Sequence, residues 1–98
     1  MKAPQSNYLD DEKAVEHVLS CVHESEVLEI AKMLIRVGSP RLHESKIAEV
    51  IAKYMADIGL EVEIQPVETG DIKSCNVIGK IRGTGGGYNL LFLGHMDV

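Results

Sequence analysis

Apolar residues recur at helical spacing through the first half of the chain. Val15, Val18, Leu19 and Val22 fall at positions i, i+3, i+4 and i+7, which predicts an amphipathic helix over residues 11–22 with Asp10 or Asp11 at its N-cap. Ser25 offers a second N-cap, Glu26 puts negative charge in the next first turn, and Val27, Ile30, Ala31 and Leu34 carry the pattern on to Gly38. One kinked helix or two separate ones both fit this stretch. Ser39-Pro40 interrupts it, because proline lacks an amide hydrogen and disfavours helix in the residue before it. A further helix is predicted over 43–58, with Ile47, Val50, Ile51, Tyr54, Met55 and Ile58 as its apolar stripe and Gly59 ending it.

From Leu60 the period drops to two. Leu60, Val62 and Ile64 alternate with Glu61, Glu63 and Gln65 up to Pro66, which predicts a half-buried strand over 60–66. After a polar connection at 68–74, a second strand is expected over 75–82, with Cys75, Val77, Gly79 and Ile81 on one face. The glycine-rich stretch 83–87 lacks the Gly-Lys-Ser/Thr ending and following helix of a phosphate-binding loop, so it reads as a hairpin connection. Leu90, Leu91, Phe92 and Leu93 then form an unbroken apolar run, the pattern of an interior strand over 89–95. The expected fold class is α/β: N-terminal helices packed on a mixed sheet whose second and third strands are antiparallel.

Composition narrows the function classes. With 98 residues, 45% of them hydrophobic and 26% charged, the chain is in the globular range, as one domain or part of one. A net charge of −5 without any basic stripe argues against a nucleic-acid partner. No apolar run approaches the roughly 20 residues that span a bilayer, and the first residues lack the apolar segment of a secretory signal. A cytoplasmic protein is therefore expected. Cys21 and Cys75 lack Cys-x-x-Cys spacing and read as ordinary thiols.

The candidate chemistry lies at the end of the third expected strand, in Gly94-His95-Met96-Asp97-Val98. In open α/β sheets, polar groups just past the carboxyl ends of strands are well placed to meet ligands. A neutral imidazole is a common zinc ligand, and a metal-bound histidine usually donates its other ring hydrogen to a carboxylate. His95 is thus the candidate metal ligand and Asp97 the candidate catalytic acid that orients it. By itself, His-x-Asp could arise by chance among 4 histidines and 15 acidic residues. His17, His23 and His43 read as solvated helix-side residues.

The surrounding residues supply context. The stretch from about residue 26 to 98 resembles the zinc metallopeptidase and deacylase family of acetylornithine deacetylase, succinyl-diaminopimelate desuccinylase, carboxypeptidase G and the aminoacylases. The resemblance rests on Leu34-Ile35-Arg36-Val37-Gly38-Ser39-Pro40, on Asn76-Val77-Ile78-Gly79, and most specifically on Leu91-Phe92-Leu93-Gly94-His95-Met96-Asp97-Val98. Cys75 stands where the family often has proline, a departure that bears on strand entry alone.

The resemblance implies an N-terminal fragment of such a hydrolase. Residues 1–24 would be a leader helix and 25–98 the first part of a larger zinc-peptidase-like catalytic domain. It further implies two zinc ions in the complete enzyme, with cobalt or manganese as alternatives, activating a water that attacks an amide carbonyl. His95 would be a terminal ligand of one metal, Asp97 its orienting acid and Asn76 structural. The bridging Asp, the Glu-Glu pair and the remaining ligands of the family have no counterpart in this sequence, so the chain alone is expected to be inactive. The expected partner is a small amide or peptide substrate, with acyl-amino acid, dipeptide and carbamoyl compounds all open, and a homodimer is among the expected assemblies. The rival reading is a small non-catalytic module that pairs through its sheet edge.

Overall fold

The structure, a computed structural model, describes residues 11–41, 43–70 and 72–97. The expected leader residues 1–10, the cap at Asp10 and the terminal Val98 lie outside them. Three helices come first: α1 (Asp11–Ser20), α2 (Glu24–Val37) and α3 (Ser45–Asp57). The opening stretch is therefore two helices, parted at residues 21–23. His23, and not Ser25, occupies the N-cap of α2, with extended backbone and no side-chain cap bond.

Helix α3 ends as its sequence requires. Gly59 takes φ 97°, the Leu60 amide donates to the Met55 carbonyl at 3.0 Å, and the Gly59 amide donates to Ala56 at 3.0 Å. This is a Schellman ending, in which a left-handed glycine lets two trailing amides satisfy carbonyls of the last turn. The chain leaves it directly into strand β1 (Glu61–Thr69), which pairs antiparallel with β2 (Ile72–Lys80). The register runs from Glu61 opposite Lys80 to Thr69 opposite Ile72, and Gly70 turns the corner at φ 62°.

Both strands differ from their sequence expectation in the same place. The residues expected as a polar connection, 68–74, are the hairpin itself, and β1 runs through Pro66, which faces Cys75. A two-stranded sheet makes β1 an edge, where a residue without an amide hydrogen is tolerated.

Among the described residues the sheet is antiparallel and two-stranded, not mixed, and the expected third strand over 89–95 is absent: residues 81–97 contain no strand. Consequently 83–87 is not a hairpin connection. Leu90, Leu91, Phe92 and Leu93 are 80 to 94% exposed rather than covered on both faces. A strand exists only through its ladder of backbone hydrogen bonds, and no strand among the described residues pairs with this run.

Helix α3 packs on both strands and α2 packs on α3. Ile47 and Ala48, on the inner face of α3, are the fully buried apolar residues, joined by Ser39 in the α2–α3 loop. The Ser74 hydroxyl donates to Glu44 Oε2 at 2.5 Å, tying the N-cap of α3 to β2. No helix among the described residues is long and apolar enough to cross a membrane.

Candidate functional site

The site is assembled from two segments far apart in sequence. Helix α2 stops at Gly38, whose φ of 70° and ψ of 116° turn the chain out of the helix. Ser39 follows at 1% exposure, the most deeply placed polar residue of the described chain. Its hydroxyl donates to the backbone carbonyl of Met96 at 2.6 Å, across 57 positions of sequence. Met96 stands between His95 and Asp97, so this bond fixes the backbone that carries both side chains.

Those side chains meet. His95 Nδ1 lies 2.8 Å from Asp97 Oδ1, with the imidazole 84% exposed and the carboxylate 39% exposed. A ring nitrogen at this distance from a carboxylate oxygen donates its hydrogen to it. In a neutral ring that contact places the hydrogen on Nδ1 and leaves the Nε2 lone pair free. No bond from Nε2 to another group occurs among the described residues.

The geometry brings together the two residues singled out in the sequence, but places them at the end of a segment without regular structure instead of at a strand tip. A neutral imidazole with an outward Nε2 and a carboxylate behind it can donate one lone pair to a cation and can hold its own orientation while doing so. It fits one ligand of a metal site, and only one. Among the described residues, no group of three or more His, Cys, Asp or Glu could hold a metal ion.

The other candidates are elsewhere. Asn76 donates from Nδ2 to Gln65 Oε1 at 3.0 Å, an exposed cross-strand pair in register, as a structural residue would. His17, His23 and His43 are exposed, and Cys21 and Cys75 are free thiols. His43 borders a shallow open depression with Val37, Gly38, Pro40, Ser45 and Lys46, which excludes His95 and Asp97. Sequence reading missed the contact made by Ser39, taking Ser39-Pro40 as a helix interruption and as the end of the first stretch that carries the resemblance. The usable signal was a small hydroxyl residue between a helix-ending glycine and a proline, where a donor is freed from helical pairing. Scans of protein-family models, of curated proteins and of solved structures each return no match to this chain.

Proposed function

We propose that the chain is the N-terminal part of a metal-dependent hydrolase that cleaves an amide bond, and that His95 is one ligand of its metal centre. The observation that carries this reading is the 2.8 Å contact between His95 Nδ1 and Asp97 Oδ1, within the motif resembling the zinc deacylases and metallopeptidases. In that role Asp97 holds the ring by accepting from Nδ1, and His95 presents Nε2 outward. Zinc, when bound, supplies a Lewis acid and a water made acidic enough to attack at neutral pH. The exposed apolar run at 90–93 and the small buried set of Ile47 and Ala48 support the same reading, as surfaces that another layer of the protein would cover.

The test joins residues 1–98 in frame to the remaining catalytic domain of a zinc deacylase of the resembled family. Zinc-dependent hydrolysis of an N-acyl amino acid or dipeptide is expected. His95→Ala should then lose zinc and turnover, and Asp97→Asn should keep most of the zinc with a rate about 10- to 100-fold lower. A folded fusion that binds no zinc, or a His95→Ala variant with unchanged zinc and rate, counts against the reading.

One observation favours a second reading. The exposure of Leu90, Leu91, Phe92 and Leu93 also suits a non-catalytic module that completes a strand against a partner. In that case the DNA downstream of codon 98 would encode neither an Asp nor a Glu-Glu pair in frame.

A further inference from the structure

We infer that Ser39 is a positioning residue for His95 and Asp97, its hydroxyl acting as the latch that sets their mutual orientation. The function of this latch rests on the metal-ligand reading above; its existence does not.

The argument begins from burial. A hydroxyl at 1% exposure needs a partner, since an unpaired buried polar group costs about 1 to 3 kcal/mol. Ser39 finds that partner at the Met96 carbonyl, 2.6 Å away. Residues 81–97 join no strand, and no backbone hydrogen bond beyond the regular elements reaches 94–97.

Side-chain geometry follows from that anchor. Fixing the carbonyl of Met96 fixes the plane of the peptide between Met96 and Asp97, and with it the direction in which Asp97 leaves the backbone. His95 and Asp97 are two residues apart, so their 2.8 Å contact depends on that plane. Without the anchor, the segment samples other backbone angles, and two exposed side chains lose more rotamer freedom than one exposed hydrogen bond returns. Ser39 touches neither ring nor carboxylate. It acts through the backbone.

The test reads the tautomer of His95 in the metal-free 98-residue chain. Long-range proton–nitrogen NMR spectra at about pH 9, above the ordinary imidazole range, distinguish a ring protonated at Nδ1 from one protonated at Nε2. In the unaltered chain His95 should be chiefly the Nδ1–H form, while His17, His23 and His43 serve as internal references. In Ser39→Ala the ring nitrogen shifts of His95 should move to those of the reference histidines. A residue that merely ties down a loop would change melting temperature and leave this signature alone, so a folded Ser39→Ala chain with the His95 tautomer unchanged overturns the latch.

If Ser39→Ala fails to fold, the unaltered chain decides. A Ser39 hydroxyl proton slow to exchange, with a cross-relaxation peak to the Met96–Asp97 backbone, supports the latch; a fast-exchanging hydroxyl without one overturns it. Failure here is separate from failure of the proposed function: the tautomer is read without metal, whereas that reading stands or falls on the zinc content of His95→Ala.

Discussion

Gly79 of β2 lies directly beneath Met55 of α3: a methyl group placed on Gly79 would sit 2.7 Å from the Met55 sulfur and 3.2 Å from Leu60 Cδ1. Both distances are inside ordinary van der Waals contact. A side chain at this point would require the thioether end of Met55 to move aside.

Gly79→Ala should therefore shift stability by less than about 1 kcal/mol, because the flexible end of Met55 can move aside while a stiffer unfolded backbone offsets the crowding. Met55→Ala should be destabilising alone, yet the double variant should lose less than the two single losses added, by 0.5 kcal/mol or more, an order-of-magnitude figure for residues in contact. Urea denaturation of the four proteins gives the coupling. Strict additivity would mean that Met55 and Gly79 do not share this space.

Burial separates the two isoleucines Ile47 and Ile35. Ile47 is 2% exposed and Ile35 is 66% exposed. Truncating Ile47 to Ala should cost about 2 to 4 kcal/mol, and the same change at Ile35 within about 0.5 kcal/mol of nothing. Equal losses at the two positions would show that Ile47 does not lie on the inner face of α3.

The bond from Ser74 to Glu44 joins strand to helix cap in a part-buried setting, whereas that from Ser20 to the His17 carbonyl is exposed. Ser74→Ala should lower stability by about 1 to 2 kcal/mol, because it leaves a carboxylate short of a donor. Ser20→Ala should be neutral. Thermal melts of both variants decide, and a Ser74→Ala protein melting with the parent would remove this tie from the account.

Exposed Leu91 and Phe92 should make the chain self-associate at micromolar concentration, since an apolar run with unpaired backbone readily finds another. Replacing both, as Leu91→Lys with Phe92→Glu, should give a monomer by sedimentation with the helical circular dichroism retained. A clean monomer from the unaltered chain would count against this and for a self-sufficient module.

Helices α2 and α3 were legible because periodicity and stop signals agree at both, whereas the expected helix over 11–22 carries no stop signal and ends at Ser20. The stripe from Ile47 to Met55 faces the sheet, and Gly38 and Gly59 end their helices at positive φ. The hairpin was legible in kind but shifted, since Pro66 reads as a strand end unless the strand is known to be an edge. The run at 90–93 was misread for a different reason. Its apolar character is a statement about burial, and burial depends on neighbours that local sequence does not specify. The pairing of His95 with Asp97 followed from their two-residue spacing, whereas the bond from Ser39 depends on a fold that brings 57 positions together.

That separation also has a meaning in time. The β1–β2 hairpin pairs Thr69 with Ile72, three positions apart, but the contact of Ser39 with Met96 spans 57. Joining the longer loop costs about 3 kcal/mol more in chain entropy, and contacts of such range form after local ones have shortened the path. Helices and hairpin should thus be in place before residues 95–97 are captured, and on unfolding the order reverses. Along the folding path, His95 and Asp97 are the last to arrive and the first to leave.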